Sequence, residues 1–325
     1  MEAKLNDTPL KICVRCPNWL GDLFMSTAFI TRLMELHPHA QIDLIVKKGF
    51  ENLPLPHRGK IIPFTKKAFN AIAFGLSLRH KKYDLFYVLP PSPSAAVMAY
   101  FSGATTRIGL IGTGRMLWLN EPVDYDREPR SQHLIDEFSL LFKETTEPTY
   151  PSLPLAEGWA TEQLQGLKLP EKFIALAPGA IYGPAKEWPL THWQELANLL
   201  SKTGFTPLII GQEGDFDLDL PKEAVNFCGK TNLNQLIALL SKASLLVSND
   251  SGAMHVMSAL KKNQIAIFGS TSTVWTGPRN TSAEVVTVNL DCAPCFQRTC
   301  KFGHYDCLTQ ITAESIFGKI QSFKL

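Results

Sequence analysis

The chain has 325 residues, 45% of them hydrophobic and 19% charged, and no apolar run reaches the ~18 residues expected of a membrane span. The formal net charge of +2 argues against a general nucleic-acid binder. The N-terminal sequence lacks the apolar core and cleavage site of a signal peptide, so the seven cysteines are expected to be thiols in a reducing cytoplasm.

The first half of the chain alternates predicted strands and helices. Residues 10–15 alternate in polarity before a proline, which predicts a first strand, and a helical pattern then runs from Asp22 to about residue 36. Further strands are predicted at residues 41–46, 83–89 and 107–110, with helical stretches on either side of the strand at 83–89. This alternation implies a parallel sheet covered by helices.

A proline-rich stretch at residues 147–158 interrupts this pattern, so we expect two domains, residues 1–155 and 156–325. Strands of the second domain are predicted at residues 173–177, 207–210, 225–227, 245–248, 265–268 and 285–288, and helices at residues 191–202, 232–241, 252–260 and 312–323. The predicted class is α/β, with two Rossmann-like domains of parallel sheets. Ligands of such sheets bind at the carboxyl ends of strands, so a site is expected in the cleft between facing domains.

The motif PNWLGD follows the first predicted strand. Gly21 allows a tight turn, and Asp22 is expected at the N-terminus of the next helix. Two interpretations of Asp22 are open. It is either an N-cap, worth ~1 kcal/mol, or a general base kept ionised by the helix dipole.

A second motif, APGAIYGPAKEWP at residues 177–189, also follows a predicted strand. Gly179 and Gly183 permit close approach of the backbone, and Lys186 stands just before the next helix. A loop of this kind suits a phosphate or pyrophosphate, although the P-loop spacing is absent. The alternative is an ordinary strand-to-helix loop with an exposed lysine.

The third motif, SNDSGAMHVM at residues 248–257, places polar groups at a predicted strand-to-helix junction. The backbone N–H groups after Ser251 and Gly252 favour an anion, whereas Asp250 would repel phosphate but can accept hydrogen bonds from sugar hydroxyls. Helix capping alone would need only one of these groups. The combination fits a nucleotide-sugar better than a plain nucleotide.

Positive charge is concentrated between Lys47 and Lys82. This segment holds nine lysines and arginines, among them Lys66 and Lys67, and one acid, Glu51. The segment is either a solvated face or a surface that attracts an acidic partner or an anionic membrane.

Four cysteines near the C-terminus have the spacing C-x2-C-x4-C-x6-C, at Cys292, Cys295, Cys300 and Cys307. Tetrahedral Zn would suit these ligands, and a reduced loop that packs locally is the alternative. The D-x-D pattern at Asp215 and Asp217, found in metal-dependent glycosyltransferases, is so short that chance explains it.

Three stretches carry a resemblance to a known family: PNWLGDLFMST (17–27), PGAIYGPAKEWP (178–189) and SNDSGAMHVMSAL (248–260). In these the sequence resembles the ADP-heptose:lipopolysaccharide heptosyltransferases, a GT-B family (glycosyltransferase family 9). The C-terminal pattern C-x-P-C-F-x-R-x-C-x-x-G-H-x-x-C is most similar to the members that add the second heptose. The resemblance implies two facing Rossmann-like domains and metal-independent, inverting transfer of L-glycero-D-manno-heptose from ADP-heptose to the first heptose of the inner core.

The resemblance also implies roles for individual residues. Asp22 matches the general base, and Lys186 matches the lysine on the donor phosphates. The implied donor-binding residues are Gly179, Ala180, Lys186, Glu213, Asp250, Ser251, Gly252 and His255. The implied acceptor-binding residues are Asn18, Trp19, Lys66 and Lys67.

The expected partners follow from these roles. They are ADP-heptose, a lipid A–Kdo–heptose acceptor and the anionic cytoplasmic face of the inner membrane, with no nucleic acid. No cofactor is expected, and a structural Zn on the four cysteines stays open. Two other functions also stay open: a relative with another acceptor, such as the enzyme that adds the first heptose, and a non-catalytic, metal-stabilised binding protein.

Overall fold

A computed structural model describes residues 9–65, 70–112, 114–125, 130–142 and 149–325. The chain divides into two units. Unit 1 contains residues 1–129 and 134–149, and unit 2 contains residues 130–133 and 150–325. None of the helices in these described ranges is long and apolar enough to cross a membrane.

Unit 1 is built around one parallel sheet. Its strands are β1 (Lys11–Arg15), β2 (Gln41–Lys47), β3 (Ile61–Phe64), β4 (Leu85–Val88), β5 (Thr106–Leu110) and β6 (Glu121–Val123). Its helices are α1 (Leu20–Leu36), α2 (Ala71–Ser77), α3 (Pro93–Phe101) and α4 (Leu134–Ser139). The strand order is β3-β2-β1-β4-β5-β6, and every neighbouring pair is parallel.

Unit 2 repeats this plan. Its strands are β7 (Phe173–Ala177), β8 (Thr206–Ile209), β9 (Val225–Asn226), β10 (Leu245–Asn249), β11 (Gln264–Ile267) and β12 (Ala283–Val286). Its helices are α5 (Trp159–Gln163), α6 (Leu190–Leu200), α7 (Leu233–Lys242), α8 (Gly252–Ala259), α9 (Thr273–Thr276), α10 (Asp306–Thr309) and α11 (Ala313–Ser322). The order is β12-β11-β10-β7-β8-β9, again parallel throughout. The predicted α/β class with two parallel sheets is confirmed.

Burial explains why the central strands are so apolar. Every residue of β7 and β10 is buried, because helices cover both faces of a parallel sheet. The last two residues of β10, Ser248 and Asn249, differ from the rest of these strands because they are polar, although both are 0% exposed. Buried polar groups are nearly always hydrogen-bonded, so side-chain hydrogen bonds are expected at the end of β10.

In each sheet the strand order reverses between two neighbouring strands. The reversal falls between β1 and β4 in unit 1 and between β7 and β10 in unit 2. Loops leave such a point toward opposite faces, and the crevice at the carboxyl ends of the strands is where doubly wound sheets bind ligands. The three sequence motifs follow β1, β7 and β10, so all of them lie at reversal points.

Some local predictions are wrong. Helix α1 begins at Leu20 with Trp19 as its N-cap, so Asp22 is the third helical residue and not the cap. Strands β3 and β6 were not predicted, because each is a short, partly exposed edge strand that contains a proline, Pro63 or Pro122. Proline is tolerated at a sheet edge, where its missing N–H removes no ladder bond.

Candidate active site

Asn249 links the two loops of the reversal point in unit 2. Its Nδ2 donates to the carbonyl of Pro178 at 2.5 Å, and its Oδ1 accepts the backbone N–H of Trp188 at 3.1 Å. These contacts secure both ends of the loop after β7 from the last residue of β10. The position of Lys186 within that loop is thereby fixed relative to Asp250.

Lys186 and Asp250 form a largely buried ion pair between Nζ and Oδ2, with side chains 13% and 4% exposed. The Thr271 hydroxyl also donates to Oδ2 of Asp250, at 2.6 Å. Thr271 follows β11, the strand beside β10, so three adjacent strand ends contribute to this cluster. Both side-chain contacts that Asp250 makes with described residues use Oδ2, which leaves Oδ1 for a further donor such as a sugar hydroxyl.

Helix α8 starts beside this ion pair. Its N-cap, Ser251, has extended backbone geometry and makes no side-chain cap hydrogen bond. The backbone N–H groups of the first turn from Gly252 are therefore not satisfied by a cap, and the positive end of the helix dipole lies there. Such a terminus binds an anion, as the sequence predicts for this junction.

His255 lies on the first turns of α8 and is 5% exposed. Burial lowers its pKa to about 4, Asp250 opposes this shift, and His133 and Lys186 reinforce it. The imidazole is therefore neutral near pH 7. A neutral ring can both donate and accept a hydrogen bond without adding charge to the cluster.

The loop that carries Lys186 is supported from the C-terminal segment of unit 2. The Tyr182 hydroxyl donates to the carbonyl of Phe296 at 2.6 Å, and Lys186 Nζ lies 4.8 Å from the centre of the Tyr182 ring. Gly183 has φ 137°, and a Cβ at this position would lie 2.8 Å from the carbonyl oxygen of Arg298. Only glycine fits this close approach.

Cys292, Cys295, Cys300 and Cys307 lie in that same supporting segment. All four are free thiols, and together they line a cavity of about 20 Å³. The pKa of Cys307 is raised by burial and then by its three cysteine neighbours. Within the described residues, no group of three or more His, Cys, Asp or Glu side chains is arranged to hold a metal ion.

Glu213 and Asp215 follow β8, the other neighbour of β7. Glu213 is exposed, whereas Asp215 Oδ2 accepts the backbone N–H of Gln212 at 2.7 Å. A Cβ on Gly179 would collide with the Asp215 carboxylate, so Gly179 and its neighbour Ala180 lie directly beside this loop. Asp215 also raises the pKa of Glu187, after burial as the main cause.

The motif after β1 forms the corresponding edge of unit 1. Asn18 and Trp19 are exposed, and Asp22 lies partly buried in the first turn of α1. Arg15, the last residue of β1, is 3% exposed and donates to Asn18 Oδ1 at 2.5 Å. The structure thus brings Asn18, Trp19 and Asp22 together at one strand end.

Parts of the basic segment have structural partners. Arg58 Nη1 donates to the carbonyls of Met34, His37 and Pro38 near the end of α1, and Lys81 Nζ lies 3.8 Å from the buried Asp43. Arg58 and Lys81 therefore both have partners within unit 1. Lys66 and Lys67 lie outside the described residues.

Sequence reasoning missed Thr271, Tyr182 and Arg15. Thr271 follows a predicted strand, so the rule that ligands bind at strand ends could have identified it. Tyr182 lies inside a motif that was recognised for its glycines and its lysine. Arg15 was interpreted only as part of a strand.

Comparisons with known proteins identify the family and the fold. Residues 71–306 match the family described as glycosyltransferase family 9 (heptosyltransferase). Lipooligosaccharide heptosyltransferase 2 of Haemophilus ducreyi is 30% identical, covering 85% of this chain and 88% of that protein. Lipopolysaccharide heptosyltransferase 2 of Escherichia coli K12 is 28% identical, covering 97% and 99%. A solved structure of E. coli ADP-heptose lps heptosyltransferase II matches with a TM-score of 0.83 at 28% identity, covering 96% and 98% of the chains.

The lowered pKa of His255 predicts a loss of stability in acid. Because the folded-state pKa of about 4 lies below the unfolded value of ~6.5, the unfolded state takes up a proton first as the pH falls through this window. His255 should therefore contribute stability that is present above pH ~6.5 and lost toward pH ~4, roughly 2 kcal/mol between pH 7 and pH 5.

Denaturant unfolding at pH 7 and pH 5 measures this loss in the wild type and in His255→Gln. The variant should lose about 2 kcal/mol less than the wild type, and His39→Gln, at an exposed histidine, is the control. An equal loss in the wild type and His255→Gln would show that His255 does not titrate in this way.

Proposed function

Because the chain belongs to glycosyltransferase family 9, we propose that it transfers L-glycero-D-manno-heptose from ADP-heptose to the first heptose of the lipopolysaccharide inner core. The curated relatives named above support this acceptor, since they are heptosyltransferases numbered 2 that match over most of the chain. The structural observation that carries the proposal is the Lys186–Asp250 pair at the N-terminus of α8. This cluster offers cationic and amide donors beside a carboxylate.

Unit 2 is proposed to bind the donor. The ammonium of Lys186 and the first amides of α8 would contact the pyrophosphate, and Oδ1 of Asp250 would accept a heptose hydroxyl. Gly179 and Ala180 would let the backbone approach the donor closely. Glu213 is proposed for the ribose, since it is exposed at the same sheet edge.

Unit 1 is proposed to bind the acceptor and supply the base. The acceptor hydroxyl must lose its proton as it attacks the anomeric carbon, and Asp22 is proposed to accept it. The carboxylate lies in the first turn of α1, where the helix dipole favours the ionised form. Attack from the side opposite to the leaving ADP inverts the anomeric centre.

The leaving ADP gains negative charge as its bond to the sugar breaks. Lys186 and the α8 amides would stabilise that charge through groups already fixed in the fold, so the proposed transfer is metal-independent. The cysteine loop is proposed to be structural, because it supports the Lys186 loop through Phe296 and Arg298.

The reaction is proposed to occur at the cytoplasmic face of the inner membrane, with peripheral contact to its anionic surface. The remaining exposed cations of the basic segment, such as Lys47, Lys48, Lys60 and Lys82, support this. The same charges would attract the phosphates and carboxylates of a lipid A–Kdo–heptose acceptor.

An assay of ADP release with ADP-heptose and a heptose-terminated core tests the proposed function. Release should require both substrates, and the product should carry one added heptose linked to the first heptose. Activity should survive prior dialysis against a chelator. Release that needs no acceptor, or transfer only to a core that lacks the first heptose, would contradict the proposed acceptor.

Asp22→Asn tests the base. The change removes a proton acceptor but little volume, so the variant should fold, and the weakened helix-dipole interaction should lower the free energy of unfolding by about 0.3–1 kcal/mol. The value of kcat should fall by roughly 10²–10⁴, while ADP-heptose affinity stays level. Glu35→Gln, at an exposed position on the same helix, is the control. A kcat near the wild-type value would leave Asp22 with a structural role only.

Lys186→Gln tests the phosphate contact while keeping a polar group beside Asp250. Loss of one charge-assisted hydrogen bond, about 1.5–3 kcal/mol, should lower kcat/KM for ADP-heptose roughly 10- to 100-fold. Lys202→Ala, at an exposed lysine in unit 2, should change little. If Lys186→Gln folds and keeps the wild-type kcat/KM, Lys186 does not bind the donor phosphates.

A further inference from the structure

Arg15 is a buried cation without an acidic partner. Its guanidinium contacts the carbonyl oxygens of Cys16 and Ile45, the side-chain oxygen of Asn18 and the face of the Phe64 ring. Within the described part of the chain, its Nε has no hydrogen-bond partner and its guanidinium forms no ion pair with a carboxylate. An uncompensated charge with 3% exposure is unfavourable in a fold that gains nothing from it.

A second buried guanidinium lies on the neighbouring strand ends. Arg115 is 2% exposed, and its Nη2 donates to the carbonyl of Val88 at 3.3 Å. Val88 pairs with Arg15 across β1 and β4, so both cations belong to the reversal point of unit 1. Arg115 likewise forms no ion pair with a described carboxylate. This strand edge therefore has a positive potential, with Asp22 as the acid of the adjoining helix turn.

The hydrogen bond from Arg15 fixes the orientation of the Asn18 side-chain amide. A guanidinium has only donors, so the amide of Asn18 must turn its oxygen inward to Arg15. The NH₂ group then points away from Arg15 on an exposed side chain, and it has no partner among the described residues. Asn18 thus presents donors only, polarised by the cation behind them.

We propose that Arg15 is a positioning residue that makes Asn18 a donor-only contact for an anionic oxygen of the acceptor, a phosphate or a carboxylate. The inference rests on the proposed function, since it names the acceptor group that unit 1 binds. Asn18 and Asp22 follow the same strand, β1, so the proposed anion contact and the proposed base belong to one strand end. The oxyanion also supplies a counter-charge for Arg15, which forms no ion pair with a described carboxylate.

Asn18→Asp separates this role from a structural one. The carboxylate keeps the shape of the amide and gains an ion pair with Arg15, so the melting temperature should rise, by roughly 2–4 °C for ~1 kcal/mol. The outward donors are lost, so the KM for the acceptor should rise roughly 10- to 100-fold, with the KM for ADP-heptose unchanged. A merely structural contact would raise stability and leave the acceptor KM level.

Two further variants complete the test. In an Arg15→Met background, the stabilisation by Asn18→Asp should disappear, because the two changes act on one contact. Asn198→Asp adds the same charge on an exposed face of α6 and should leave both KM values unchanged. The acceptor is used before and after enzymatic dephosphorylation. A penalty that vanishes on dephosphorylation identifies a phosphate, and one that persists identifies a carboxylate.

An acceptor KM within twofold of the wild type in Asn18→Asp would overturn the proposal, as would equal increases for donor and acceptor. The melting temperatures need no substrate, so they test the Arg15–Asn18 geometry even if the wild type fails to use ADP-heptose. Failure of wild-type turnover would instead refute the proposed function. The two failures are therefore distinguishable.

Discussion

The ion pair between Lys186 and Asp250 is the interaction on which the proposed donor site depends. Opposite charges this deeply buried gain little net stability, because desolvation offsets most of their attraction. Their effect is to fix positions, since neither charge can leave its partner without a large penalty. Thr271 holds the carboxylate, and Tyr182 packs beside the ammonium. The pair thus sets the geometry of three strand ends.

The two units place charge at equivalent points of their sheets but satisfy it differently. In unit 2 the cation at the reversal point has an acid within the chain. In unit 1 Arg15 has carbonyls, an amide and an aromatic face, none of which carries a formal negative charge. An anionic ligand must compete with the acid of an existing ion pair before it can bind the cation. A cation without such an acid can pair directly with the charge of the ligand. This difference fits the proposed roles, in which unit 2 binds the donor through several groups and unit 1 binds an anionic group of the acceptor.

Much of the fold could be predicted from sequence, because buried parallel strands such as β7 and β10 form apolar runs of characteristic length. The edge strands β3 and β6 could not, since a partly exposed strand with a proline has no such pattern. The motifs located Lys186 and Asp250 but not their direct contact, which depends on how Asn249 holds the loop after β7. Arg15 looked like an ordinary alternating strand residue. Its burial depends on contacts with the ends of β2 and β3, and the sequence did not predict β3.

The ion pair also bears on why a nucleotide-sugar would be selected over a nucleotide. Before the donor binds, the charges of Lys186 and Asp250 cancel, so a bare phosphate must compete with Asp250 for the ammonium. Among the described residues, an anion that succeeds leaves the carboxylate with Thr271 as its one remaining side-chain donor, and a buried carboxylate with too few donors is costly. A ligand that brings phosphates and a hydroxyl satisfies both charges together. The sugar hydroxyl then favours binding because it donates to the Asp250 carboxylate, which the phosphates of the same ligand have separated from Lys186. The preference for a nucleotide-sugar over a nucleotide should exceed the free energy of one added hydrogen bond, because the nucleotide leaves the buried Asp250 carboxylate short of donors.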